Sequence, residues 1–287
     1  MLRSSNPILS KRDAFTPAAP QYGQPPRGSA TYGPGFGPGA GLGPHPGQRG
    51  YGDPYGQAPV QAPEGRMTFD DVVTKTTTTM GVLVAFAALA WNFIPESLYF
   101  PGMILSGLVG FVVVMVVSFR RVVSPPMVLA YAAIEGIFIG LISKVFENVY
   151  PGIVAQAVVA TFFAAGATLL AYKVFNIRVT AKFQKIVLIS TLAFAAFMLV
   201  NFIFSLFTGT PGLRGGIVGP ISPLALGISA IAIVLAVLNL VLDFDYIERG
   251  VQMGAPASES WRGAFGLTVT MVWLYVEMLR LISYIRR

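Results

Sequence analysis

The chain has 287 residues, 54% of them hydrophobic and only 11% charged, against about 25% charged in ordinary soluble domains. So few charges cannot supply a water-facing surface, and lipid must cover most of it. The net charge of +7 comes from cations that lie mostly between apolar runs, which fits membrane orientation signals and excludes nucleic-acid binding. The lack of cysteine and the single histidine, His45, exclude disulfides, thiolate metal sites and a Ser-His-Asp triad; neither an enzyme nor a cofactor is expected.

Residues 1–66 hold 12 of the 21 prolines and 13 of the 31 glycines. Such a segment cannot bury a core and is expected to be a disordered cytoplasmic tail without a signal peptide. Its spaced Tyr22, Tyr32, Tyr51 and Tyr55 suit either contacts with a partner or a plain flexible tether. From Met67 the composition changes, and Thr68-Phe69-Asp70-Asp71 reads as a short amphipathic lead-in helix capped by Thr68.

Apolar runs of spanning length then predict seven helices within a 67–287 membrane domain, near 78–95, 98–118, 127–147, 151–174, 186–207, 223–245 and 263–285. The fold class is therefore an all-α integral membrane protein, a bundle of seven transmembrane helices behind a disordered tail. Pro95-Glu96 joins the first two helices so tightly that an antiparallel hairpin is expected there. Arg66, Lys75, Arg120, Arg121, Lys173, Arg178, Lys182, Lys185, Arg249 and Arg262 fall on the side of the N-terminus, whereas Lys144, Arg214, Arg286 and Arg287 fall opposite. The positive-inside rule thus expects the N-terminus inside, with the two terminal arginines as the objection. No internal repeat or interrupted helix suggests a secondary transporter.

An ionisable group inside a span costs about 2.5–3.5 kcal/mol on insertion scales, so each one needs a reason. Glu135 lies beside the small-xxx-small pair Gly136 and Gly140, where it lines a vestibule or snorkels while the glycines serve close packing. Asp243 and Asp245 close the sixth run; being about 200° apart, only one of them faces the bundle squarely. Glu277 lies deep in the seventh run, either paired internally with Arg280 three residues on or acting as an ion or proton ligand.

Leu242-Asp243-Phe244-Asp245-Tyr246-Ile247-Glu248 and Leu274-Tyr275-Val276-Glu277 resemble the two acidic motifs of the transmembrane Bax inhibitor motif family. The long Pro/Gly/Tyr tail is similar to that of its actinobacterial-type branch. The resemblance implies a bacterial plasma-membrane protein, a pH-sensitive cation leak with Ca²⁺ as the permeant ion. Asp245 and Glu277 would be its coupled gate and transient Ca²⁺ ligands, Asp243 and Glu135 its vestibule acids, and Arg280 a closed-state counter-charge. Carboxylate oxygens suit Ca²⁺, and two neighbouring acids titrate as a pair. The alternative implied is a membrane scaffold that regulates a partner in stress response, such as a membrane-bound quality-control protease. Two positions depart from the family pattern: Glu277 replaces the usual Asp, and Tyr246-Ile247 replaces Thr-Gln.

Overall fold

The computed structural model of the chain describes residues 65–210, 212–218 and 220–287. The expectation of a disordered tail falls outside the described residues except at Gly65 and Arg66. Seven helices are long and apolar enough to cross a membrane: α1 (Phe69–Phe93), α2 (Tyr99–Phe119), α3 (Pro125–Val149), α4 (Ile153–Val174), α5 (Ala181–Thr208), α6 (Pro223–Gln252) and α7 (Glu259–Ile285). With seven crossings, the start of α1 and the α6–α7 turn share one side, called here the turn side. The α5–α6 connection and the end of α7 share the other, the loop side.

Three boundaries differ most from the sequence expectation for the same reason, that a helix outlasts its apolar run. The expected lead-in helix is the first two turns of α1 itself, capped as expected by Thr68, whose hydroxyl accepts from Asp71 N at 3.2 Å. The threonine run does not break it, because Thr78 and Thr79 donate to carbonyls four residues back at 2.8 and 2.7 Å. At the second boundary α6 runs seven residues beyond Asp245, through Gln252. Helix α5 likewise begins five residues earlier than the apolar run, after Thr180 caps Phe183 N at 3.2 Å.

The expected α1–α2 hairpin does not form. Both helices pack on α3 and share no close approach with each other. The reason is glycine: a Cβ on Gly136 or Gly140 would overlap the α1 backbone at Leu83 and Ala87, so the bare faces of α3 draw α1 in to backbone contact.

Helix α7 is the centre of the bundle. It touches α1, α3, α4 and α6 and buries residues on every side, from Ser260 to Tyr284. By contrast α5 buries only Val187, packs mainly on α6 and reaches α7 through the Phe194–Trp273 ring stack, leaving most of its apolar surface for lipid. On the turn side, Met67 is 2% exposed, packs against Val72 and Ile247, and donates its N–H to Ala255 O at 2.8 Å. Gly65 O accepts from Ala257 N at 2.7 Å, so residues 65–67 lie against the α6–α7 turn.

Candidate functional site

The site is built on the α6–α7 pair. Ser222 caps α6 by accepting from Ala225 N at 3.0 Å, and Pro223 opens it, an arrangement that needs no donor from the proline. Gly254, at φ 64°, turns the chain and sends α7 back antiparallel. Gly263 and Gly266 then keep the helices close: a Cβ at Gly263 would lie 3.1 Å from Ile247, and one at Gly266 would lie 2.9 Å from Asp243 Oδ1.

That gap at Gly266 is where Asp243 sits. Thr270, one turn further on α7, donates its hydroxyl to Asp243 Oδ2 at 2.7 Å. Of the two neighbouring acids, Asp243 is therefore the one that faces α7. Asp245 points away, pairs with Arg249 Nε at 2.8 Å, and lines a cavity of about 1140 Å³ near the turn side, together with Tyr172 and Glu248.

Glu277 lies seven residues beyond Thr270, hence about 10 Å further along α7 towards the loop side. Its side chain is 2% exposed, and both its oxygens accept from Arg214 Nη2 at 2.7 Å. Arg214 belongs to the α5–α6 connection, which folds into the bundle. Side chains of α5, of α7 and of the residue that caps α3 anchor that connection. Asn201 Oδ1 of α5 accepts from Leu213 N at 2.9 Å, Tyr284 Oη donates to Arg214 O at 2.9 Å, and Tyr150 Oη donates to Ile217 O at 3.1 Å. The guanidinium also lies 5.9 Å from the Phe194 ring and 3.5 Å from Ser229 Oγ. A buried charge needs this kind of partner.

Between the Asp243 and Glu277 levels stand Leu240 and Leu274, both 0% exposed, with Ala236 beside them. The two acids are thus separated by a buried apolar layer.

The residues expected from sequence therefore sit in four places. Asp245 and Glu277 do not meet here; each faces an arginine of its own. Asp243 is joined to Thr270. Arg280 shares the buried end of α7 with Glu277, but the ion pair of Glu277 goes to Arg214. Glu135 points towards α2, where a Cβ on Gly110 would lie 2.6 Å from its Oε2, a direction that takes it away from the α6–α7 acids. Among the described residues no group of three or more His, Cys, Asp or Glu gathers as a metal cage would.

Sequence reading missed Arg214 as a site residue, placing it only among the cations of the loop side. Its signal was a lone charge in an otherwise uncharged Gly/Pro-rich stretch between two spans, in a chain with an unmatched acid in its last one. Nor did it find Thr270 and Leu240, whose roles depend on the α6–α7 register.

No curated protein matches the chain significantly. The sequence profile described as Bax inhibitor 1 like matches residues 6–287, nearly the whole length. With seven apolar helices around two separated acidic positions, this multi-pass membrane protein belongs to the Bax inhibitor 1-like family.

Proposed function

We propose that the protein is a pH-sensitive cation leak of the bacterial plasma membrane, with Ca²⁺ as permeant ion, N-terminus in the cytoplasm, and the arrangement above as its closed state. The observation that carries this reading is the buried Arg214–Glu277 pair. An acid at this depth is expensive, and its counter-charge comes from a connection that has to fold inward to supply it. Closed, the loop-side end of the pathway holds two guanidiniums, Arg214 and Arg280, against one carboxylate, which repels cations. The Leu240–Leu274 layer excludes water below it.

Opening follows from protonation of Glu277, which removes the attraction for Arg214 and lets the connection withdraw. Asp243 and Asp245 receive ions from the turn side, and Asp245 must release Arg249 as Glu277 must release Arg214. The inside location of the turn side rests on its ten cations against four opposite. Arg286 donates to Pro151 O at 3.1 Å and Arg287 to Gly216 O, which gives the two terminal arginines partners on the loop side.

The test is Ca²⁺ flux into liposomes holding the purified protein, across a range of pH, for the parent, Asp245→Asn and Glu277→Gln. Glu277→Gln, a permanent mimic of the protonated acid, is expected to raise flux and flatten its pH response. A Glu277→Gln protein that conducts and responds to pH like the parent would sink the gate. No flux above empty liposomes for any protein would favour the scaffold that regulates a membrane partner.

A further inference from the structure

Helices α1 and α4 both pack on α7 yet nowhere approach one another within 8 Å, Cα to Cα. The gap between them holds two cavities along its length, one over Leu267 of α7 and one over Val272 and Tyr275. Its loop-side half is a cavity of about 460 Å³ walled by residues such as Leu83, Ala87, Val158 and Phe162. The hydroxyls in that wall are no invitation to water, because Ser143 and Tyr275 are bonded to each other at 2.7 Å.

The turn-side half is the cavity of about 1140 Å³, with Val72, Leu169 and Phe244 as apolar walls and Lys173 and Arg178 at the rim. Its acids are already engaged. Asp245 is paired with Arg249 at 2.8 Å, and Glu248 accepts from Tyr172 Oη at 2.6 Å and Gln252 Nε2 at 3.1 Å. Lys173 and Arg178 are exposed and, among the described residues, form no ion pair. On the α1 wall Thr76 Oγ1 is buried without a hydrogen-bond partner. The cleft thus presents two uncommitted cations and a free hydroxyl above a long apolar trough.

We propose that the α1–α4 cleft binds one anionic phospholipid of the turn-side leaflet, its phosphate between Lys173 and Arg178 and an acyl chain against α7. The dimensions agree. From Lys173 to Phe162 along α4 is about 17 Å, close to half of a hydrocarbon core about 30 Å thick, so a chain anchored at Lys173 ends at the border of the second cavity. Charge selects the headgroup: two unpaired cations favour a net anion, whereas a zwitterionic lipid brings its own cation to the rim. A free phosphate would leave the trough unfilled.

Native mass spectrometry of the full chain, released from micelles with equal phosphatidylglycerol and phosphatidylcholine, tests this. One phosphatidylglycerol should be retained in preference. In the Lys173→Ala/Arg178→Ala double variant its affinity should fall on the order of 30-fold, taking each cation near the surface at about 1 kcal/mol. Both residues are exposed, so folding should be untouched; the thermal midpoint without lipid checks this. The Lys182→Ala/Lys185→Ala variant, which removes nearby cations that do not line the cleft, should keep the preference. Val73→Trp, which narrows the apolar mouth, should weaken retention with all charges intact. Equal retention of the two lipids would overturn the proposal. So would an equal effect of both charge variants, or stripping of the lipid by inorganic phosphate.

Discussion

At the scale of single residues, Glu277 and Arg214 set the sharpest expectations. Removing one partner of a buried pair strands the other charge, so Arg214→Ala should destabilise the bundle by about 3–5 kcal/mol, read as thermal unfolding in detergent. The double change Arg214→Met/Glu277→Leu should restore most of that loss, because apolar residues of similar size replace buried pairs without penalty; a double variant as unstable as the single one would mean that the connection is held by other contacts. Thr270→Val should cost about 1–3 kcal/mol by leaving Asp243 without its donor, on the same readout. The sequence made Glu277 visible, since a carboxylate in an apolar run is conspicuous by its cost. Its partner was hidden because Arg214 is 63 residues away, while Arg280 stood three residues off on the same helix and satisfied the local rule. For Asp243 and Asp245 the sequence could state the alternatives and no more. The choice is made by Gly266 on the facing helix, which becomes informative only once the register is known.

At the scale of helices, hydropathy located every span, because the cost of exposed backbone and charge in lipid leaves little freedom. It misjudged where helices stop, since backbone hydrogen bonding continues wherever side chains satisfy themselves, as the α1 threonines do. It also placed α2 against α1, whereas the glycines of α3 decide that contact. Gly140→Ala puts a Cβ into the Ala87 backbone; neither partner is a flexible side-chain end, so α1 must move outward. The expected loss is about 1–3 kcal/mol, measured by thermal unfolding. Gly166→Ala, mid-helix in α4 where a Cβ meets nothing within 4 Å, is the comparison that should keep stability or raise it by up to about 1 kcal/mol.

At the scale of the whole molecule, the organisation is a core of α7 wrapped by α1, α3, α4 and α6, with α2 and α5 outside it. Met67 ties the start of the described chain to the turn side, where a Cβ on Gly250 would lie 2.7 Å from its sulfur. Met67→Ala should accordingly cost about 2–5 kcal/mol, and removing residues 1–67 should lower the unfolding temperature more than removing 1–64. The composition of residues 1–66 signalled a change of character, but the point at which the chain begins to pack depends on Gly65, Arg66 and Met67 meeting the α6–α7 turn, a contact nearly 190 residues distant in sequence.

The α5–α6 connection has one more consequence. Because Arg214 is part of the same chain as Glu277, the counter-ion of that acid cannot be diluted or exchanged for another; its local concentration is fixed by the folded connection that Asn201 and Tyr284 hold in place. Burial also shields the pair from dissolved ions, whose screening length of about 10 Å at 0.1 M acts mainly on exposed charges. A partly exposed contact such as Arg262–Glu259 should fade as salt rises, while the Arg214–Glu277 pair should hold from dilute buffer to brine.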